Sequence, residues 1–342
     1  MSAISALSPQ RDLPTTIFSP DFLVKRGWCS VAKDPKRAAE PHELYYELHG
    51  EDRPESTRLL FIMGLNNSSF AWQHQLSYFS SLPGYSTLVF DNRGVGHSDA
   101  PKGAYKTSEM ARDVVELLEE VGWIGKGEGE EEEEARLNVV GVSMGGMIAL
   151  ELALLIPRHI RTLLLTSTKS GSSTLPDIPS YASLRMFGLL TTGMVKLPQD
   201  QMALVAETLF PKVWLDGIAD EEDGEWQGKK RREMVETDLL NRYNVGKRQT
   251  MTGRLGQLAA VCSHRVSTSR LKELSTSLPS SSRIAIIHGT EDNLIHVNRA
   301  KELHSALPGS SLKIVEGAGH ALPSQIKREY NEWIKSNIER TT

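Results

Sequence analysis

A serine flanked by glycines lies where an apolar run meets a helical pattern. The string Gly141-Val142-Ser143-Met144-Gly145-Gly146 follows RLNVV and leads into MIALELALLI. A sharp turn between a strand and a helix strains the serine backbone, and the flanking glycines make room for it while the hydroxyl is presented above the sheet edge. The helix N-terminus adds free N–H groups where an oxyanion would form. Ser143 is therefore the candidate nucleophile, and a glycine-rich turn with an incidental serine is the alternative.

A serine hydroxyl is a poor nucleophile at neutral pH, so it needs a base and a group that orients the base. The apolar run RIAIIHG is followed by Thr290-Glu291-Asp292, and the run SLKIV by EGAGH, which ends at His320. Each side chain lies just past the carboxyl end of a predicted strand, where open α/β sheets place their sites. We predict Asp292 as the acid and His320 as the base.

Several other residues are weaker candidates for the same roles. Glu291 is the rival acid, although its side chain is expected to point away from that of its neighbour. His296 and His304 lie at helical spacing after that loop, where a histidine is usually a surface or packing residue. Cys262 and His264 either face the site or, as we favour, pack within a helix.

An oxyanion hole is predicted from backbone amides. The loop FIMGLNNSSFAWQHQ follows the first long strand, and the N–H of Leu65 together with that of Met144 would bind the developing negative charge. A histidine commonly precedes the glycine of such loops, and this chain has Met63 there, but backbone donation does not need the histidine. Asn66 and Asn67 either contact the acyl oxygen or, as we favour, form the turn.

The elements that must position these residues alternate between short apolar runs and helical patterns. This alternation is typical of a parallel sheet with helical crossovers, and two runs near the start resemble an antiparallel entry. The glycine-rich segment 91–99 follows one run and is interpreted as a structural turn in which Arg93 braces the loops around Ser143. The predicted strands cover residues 28–32, 44–48, 59–63, 87–90, 137–142, 162–166, 283–288 and 311–315.

Two segments interrupt this alternation, and one precedes it. Residues 170–278 carry many helix formers and no strand-like run, so we predict a helical insertion there. Residues 125–134 form an acidic run that is expected to be an exposed loop. Residues 1–26 are predicted to be an N-terminal extension on the surface, which leaves 27–169 and 279–342 as the α/β core.

Composition excludes several classes of protein. The chain has 342 residues with 39 Lys+Arg against 43 Asp+Glu, so it lacks the basic excess that nucleic-acid binding uses. Cys29 and Cys262 are too few for a disulfide framework and are expected to be free thiols. The apolar stretch 139–156 contains Glu151 and a glycine pair, which argue against a transmembrane helix. Because no targeting signal is recognisable, we expect a cytoplasmic protein.

Together the motifs resemble the α/β-hydrolase superfamily, in the cap-bearing branch typified by small esterases, epoxide hydrolases and cofactor-free haloperoxidases. The resemblance rests on MGLNNSSFAWQHQ, DNRGVGHSD, GVSMGG, HGTED and GAGH, in that order, from about residue 27 to the C-terminal helix. It implies an eight-stranded, mostly parallel sheet flanked by helices. It also implies a catalytic triad of Ser143, Asp292 and His320, an oxyanion hole at Leu65 and Met144, and an insertion that forms a helical cap over the pocket.

A serine at the sharp turn is similar to the esterase-like members of this superfamily, because the epoxide and haloalkane hydrolases carry aspartate there. The resemblance therefore implies hydrolysis of a small to medium, largely apolar carboxylic ester or lactone through an acyl-enzyme, without cofactor or metal. The same triad also supports carbon–carbon, thioester or amide cleavage and acyl transfer. A ligand-binding protein on a hydrolase scaffold is a further alternative, and the sequence leaves the oligomeric state open.

Overall fold

One sheet organises the protein. The structure, a computed structural model, describes residues 11–125, 136–171 and 180–340. Within these ranges eight strands form a sheet of order β1-β2-β4-β3-β5-β6-β7-β8, in which β2 pairs antiparallel with β1 and β4 and all other pairs are parallel. The strands are β1 (Leu23–Val31), β2 (His42–Gly50), β3 (Thr57–Ile62), β4 (Tyr85–Phe90), β5 (Leu137–Val142), β6 (Ile160–Thr166), β7 (Arg283–Gly289) and β8 (Ser311–Val315).

The predicted sheet is confirmed, including its antiparallel entry. Continuous apolar runs mark strands that are covered on both faces, and all six residues of β5 are buried. β1 begins at Leu23, inside the segment predicted as an extension, and Phe18 just before it is buried in the core. The predicted acidic loop at 125–134 lies, apart from its first residue, outside the described residues.

Helices cover both faces of the sheet. One apolar core joins α2, α3, α9 and α10 to the sheet, and a second joins α1 and α12 to the opposite face. The helices are α1 (Gln73–Ser80), α2 (Thr107–Glu120), α3 (Met144–Leu155), α4 (Tyr181–Thr191), α5 (Pro198–Leu209), α6 (Lys212–Leu215), α7 (Arg231–Val245), α8 (Met251–Ser263), α9 (Thr268–Ser277), α10 (Asn298–Ala306), α11 (Leu322–Gln325) and α12 (Lys327–Glu339). Short 3₁₀ helices cover Pro20–Phe22, Ser69–Trp72, Pro157–His159 and Glu221–Trp226. In the described part of the chain no helix has the length and apolar character needed to cross a bilayer.

The helices between β6 and β7 correspond to the predicted insertion. α5 and α7 share a small apolar cluster of their own, separate from the two cores of the sheet. The last helix differs from the prediction, because α9 packs Leu271 and Leu274 into the core of the sheet. The two ends of the insertion meet where the amide of Val266 donates to the carbonyl of Ser170 at 2.8 Å. The division of the chain into domains stays a prediction.

Candidate active site

Ser143 occupies the strained turn that the sequence predicts between β5 and α3. Its backbone has φ 57° and ψ −120°, in the left-handed half of conformational space that side chains rarely adopt. The neighbouring glycines are sterically required. A Cβ atom on Gly145 would lie 2.0 Å from the carbonyl oxygen of Ile62, and one on Gly141 would lie 2.5 Å from the carbonyl oxygen of Gly145. The turn therefore presents the Ser143 hydroxyl at the carboxyl end of the sheet.

This strain predicts a stability difference between two variants that both lack the hydroxyl. Ser143→Gly should be more stable to unfolding than Ser143→Ala by about 1 kcal/mol, because glycine relieves the strain of a positive φ while losing part of that gain to its unfolded-state entropy. Urea unfolding of the two purified variants measures the difference. A glycine variant less stable than the alanine variant would contradict the argument.

Asp292 is held in a network that keeps it ionised. It follows β7, and its Oδ1 accepts the amides of Leu294 at 2.8 Å and Ile295 at 2.9 Å. Its Oδ2 lies 2.7 Å from His320 Nδ1. Burial opposes ionisation, but attraction to His320 together with hydrogen bonds from His288 and His320 outweighs it and lowers the pKa of the Asp292 carboxyl well below its ordinary value of 3.8. The carboxylate can therefore orient the imidazole of His320.

His288 is a member of this network that the sequence analysis missed. It lies near the end of β7 and is fully buried. Its Nε2 is 2.7 Å from the carbonyl oxygen of Ile295 and 3.1 Å from Asp292 Oδ2, so one N–H group is shared between the two acceptors. The signal in the sequence was a histidine inside an otherwise apolar strand, four residues before the candidate acid.

His320 shares a cavity wall with Ser143. The amide of His320 donates to the carbonyl of Leu209 on α5 at 2.9 Å, which fixes the loop after β8. Both His320 and Ser143 line one cavity, although no hydrogen bond joins the hydroxyl to the ring among the described residues. Catalytic hydrogen bonds in unliganded enzymes are often long and tighten when substrate binds.

The rival candidates lie outside this cavity. Glu291 is exposed, and among the described residues only its amide is hydrogen-bonded, to the carbonyl of Ala318. His296 is exposed, and His304 Nδ1 lies 2.9 Å from the hydroxyl of Ser310. The remaining pair also stands apart from the site, since Cys262 does not line the cavity and the buried His264 lies 2.8 Å from the Thr107 hydroxyl.

The backbone around Leu65 approaches Ser143 closely. A Cβ atom on Gly64 would lie 3.1 Å from the Cβ of Ser143, so glycine lets the loop after β3 reach the serine. No described residue accepts a hydrogen bond from the amides of Leu65 or Met144. Asn66 has φ 59°, and its amide donates to Gln257 Oε1 at 2.9 Å, which matches the interpretation of Asn66 as a turn residue.

The segment 91–99 supports the loop after β3 through a different residue from the one predicted. Arg93 was expected to brace the loops around Ser143, but its guanidinium donates to Asp113 on α2 in two contacts of 2.6 Å. The contact with the loop comes from Asn92 instead, whose side chain donates to the carbonyl of Met63 at 2.9 Å. The buried carboxylate of Asp113 pairs with the guanidinium of Arg37 as well as with that of Arg93.

Comparison with known proteins identifies the family. A family model described as "alpha/beta hydrolase fold" matches residues 57–324. The chain belongs to this family. Among curated relatives of this hydrolase, "Putative carbamate hydrolase RutD" of Variovorax paradoxus (strain S110) is 34% identical over 128 residues, which are 37% of this chain and 43% of that protein. The protein of the same name from Stutzerimonas stutzeri (strain A1501) is 23% identical and aligns over 86% of this chain and 96% of its own length.

A solved structure supports the same fold for this alpha/beta hydrolase. The enol-lactonase from Burkholderia xenovorans LB400 superposes with a TM-score of 0.65 at 20% identity and covers 87% of this chain and 97% of that one. The superposition covers most of both chains, so it supports the architecture described above.

The cavity of this alpha/beta hydrolase lies between the sheet and the inserted helices. Its volume is about 470 Å³, which suits a small to medium organic ligand. The sheet side contributes Ser143, His320 and the loop of Leu65, while α4, α5, α7 and α8 contribute mostly apolar side chains. The apolar residues from these helices are Met186, Phe187, Leu190, Met202, Val205, Leu209, Leu239 and Val261.

Proposed function

We propose that this alpha/beta hydrolase is a serine hydrolase that cleaves a carboxylic ester or lactone through a triad of Ser143, His320 and Asp292. The observation that carries the proposal is the 2.7 Å contact between His320 Nδ1 and Asp292 Oδ2, with His320 and Ser143 in the wall of one cavity. A buried, ionised carboxylate behind a histidine fixes the ring tautomer and stabilises the imidazolium that forms during proton transfer. This geometry supports nucleophilic catalysis by Ser143.

In the acylation step, His320 Nε2 accepts the proton of the Ser143 hydroxyl as the oxygen attacks the carbonyl carbon. The oxyanion of the tetrahedral intermediate accepts hydrogen bonds from the amides of Leu65 and Met144, and His320 then protonates the departing alkoxide. In the deacylation step, water attacks the acyl-enzyme, and His320 acts as the base again. His288 donates to Asp292 and so keeps its carboxylate in place.

The walls of the cavity favour an ester or lactone with a substantial apolar part. Burial of apolar groups against α4, α5 and α7 supplies binding free energy of about 25 cal/mol per Å² of apolar area. Two of the similar proteins are named "Putative carbamate hydrolase RutD" and enol-lactonase, and carbamates and lactones, like esters, each contain an acyl carbon. Carbamate hydrolysis therefore belongs beside ester and lactone hydrolysis in the set of reactions to test.

A covalent probe tests the proposed nucleophile directly. A fluorophosphonate should label Ser143 within minutes, because the activated hydroxyl attacks phosphorus and displaces fluoride. Peptide mapping by mass spectrometry locates the modified residue, and Ser143→Ala serves as the control that takes up no label. Labelling at another serine, or none after prolonged incubation, would refute the assignment of Ser143.

A further inference from the structure

The charged side chains of the cavity wall are basic. Five lysine and arginine residues line the cavity, while the described residues of its wall include neither aspartate nor glutamate. Four of the five, here named the basic cluster, come from one stretch of chain that covers the end of α7 and the start of α8. The basic cluster comprises Arg242, Lys247, Arg248 and Arg254. The sequence from 242 to 272 contains seven lysine and arginine residues and no acidic residue.

Arg242 has a buried donor that no described residue accepts from. One of its terminal nitrogens lies 2.9 Å from Asp238 Oδ2, one helical turn earlier on α7. Its side chain is only 14% exposed, and its buried Nε–H group has no hydrogen-bond partner among the described residues. Leaving a buried charged donor unsatisfied is costly, so such a group next to a cavity indicates a ligand that accepts from it.

Arg254 also has more hydrogen-bond donors than the described residues around it have acceptors for them. The half-buried side chain of this α8 residue donates to the carbonyl of Leu190 on α4 at 3.1 Å, which is its only side-chain hydrogen bond among the described residues. A guanidinium has five N–H donors arranged in a planar fork, so most of the donors of Arg254 stay available. Lys247 and Arg248 lie exposed on the loop that joins α7 to α8 and add positive charge to the same wall.

We propose that the basic cluster binds a carboxylate of the substrate, so that the substrate is an ester or lactone of a dicarboxylic acid with one free carboxylate. The inference rests on the function proposed above. Arginine forks match the two oxygens of a carboxylate, and a site of low dielectric strengthens the pairing. Hydrolysis adds one water across the acyl–oxygen bond, releases the alcohol and one proton, and leaves a dicarboxylate.

The two ends of such a substrate match two different parts of the cavity wall, one at Ser143 and one at the basic cluster. The ester carbonyl lies at Ser143 on the sheet side, the apolar spacer contacts α4 and α5, and the free carboxylate meets the basic cluster on α7 and α8. A neutral ester of the same length binds the first two regions only. It offers no acceptor to the Nε–H group of Arg242 or to the remaining donors of Arg254, and sites built for a polar group discriminate strongly against analogues that lack it.

A matched pair of substrates tests the proposal. The mono-p-nitrophenyl ester of adipic acid carries a terminal carboxylate, and the corresponding ester of adipic acid monoamide has nearly the same shape without the charge. Wild-type protein should favour the carboxylate in kcat/KM by about 10- to 100-fold, the range expected for charge-assisted hydrogen bonds. The preference should fall as sodium chloride is raised, because salt screens the exposed members of the basic cluster.

Arginine variants locate the preference. Arg254→Gln and Arg242→Gln should each lower the carboxylate-to-amide ratio of kcat/KM by about tenfold, mainly through KM for the charged ester. Arg254→Lys should recover part of the ratio. Arg112→Gln removes the same charge from an exposed position on α2 and should leave the ratio at the wild-type value. Taking a ratio within each variant cancels any loss of folded protein.

The outcomes separate the two proposals. If wild-type protein hydrolyses the amide-terminated ester as fast as the carboxylate-terminated one, the proposed carboxylate site is refuted. The proposal that the protein is a serine hydrolase is unaffected by that result. A ratio that is unchanged in the Arg242→Gln, Arg254→Gln double variant has the same meaning. If neither ester is turned over faster than with Ser143→Ala, and the fluorophosphonate leaves Ser143 unlabelled, the proposed function itself fails.

Discussion

Ser143→Ala is expected to lower kcat for hydrolysis of a short p-nitrophenyl ester by about 10⁶-fold, which leaves only the acceleration that the oxyanion amides and substrate binding provide. The reason is that alanine removes the attacking oxygen while the amides of Leu65 and Met144 and the ring of His320 stay in place. Release of p-nitrophenolate, followed by its absorbance, measures the effect.

The control is another serine-to-alanine change far from the cavity. Ser305 is exposed on α10, so Ser305→Ala should retain the wild-type rate. Wild-type turnover by Ser143→Ala would show that a different group performs the attack. Circular dichroism of both variants establishes that each is folded.

Asp292→Asn is expected to lower kcat by about 10⁴-fold. The asparagine oxygen can still accept the amides of Leu294 and Ile295, so the loop after β7 should keep its shape. What is lost is the negative charge that fixes the His320 tautomer and stabilises the imidazolium. Steady-state kinetics with the same ester measure the loss.

Glu291→Gln is the matched control for Asp292→Asn. It removes one negative charge from the adjacent residue, whose side chain is exposed, and should keep the wild-type kcat. A loss of activity with Glu291→Gln equal to that with Asp292→Asn would contradict the assignment of the acid.

The lowered pKa of Asp292 also has a signature in stability. Because the folded-state pKa lies below the unfolded value of about 3.9, the ionised carboxylate stabilises the fold above that pH, and this contribution is lost as the pH falls toward the folded-state pKa. Asp292→Asn lacks the titrating group. Its unfolding free energy should therefore depend less on pH below about 4 than that of the wild type.

The strands and the proximity of Asp292 to His320 could be predicted because local pattern and topology agree there. A parallel sheet buried on both faces requires continuous apolar runs, which the chain has at β5 and β7. The turn at Ser143 requires glycine at 141 and 145, because backbone atoms leave no room for a Cβ. Asp292 and His320 were found because both follow strands that end at one edge of the sheet.

The remaining features depend on contacts between distant parts of the chain. His288 acts through Asp292 and Ile295 on a loop that folds back over β7, which periodicity does not show. Asn92 supports the loop after β3, whereas the guanidinium of Arg93 pairs with Asp113 on α2. The apolar residues of α9, Leu271 and Leu274, do not distinguish it in sequence from the inserted helices. Only their packing in the core of the sheet shows that α9 lies against the sheet.

The hydrogen bond between Val266 and Ser170 has an evolutionary consequence. Because the two ends of the inserted segment lie within hydrogen-bonding distance, recombination could exchange the segment between Ser170 and Val266 and leave the strands on either side undisturbed. Ser143, Asp292 and His320 lie outside this segment, whereas Arg242 and Arg254 lie inside it. Exchange of this one segment could therefore change the substrate while keeping Ser143, Asp292 and His320.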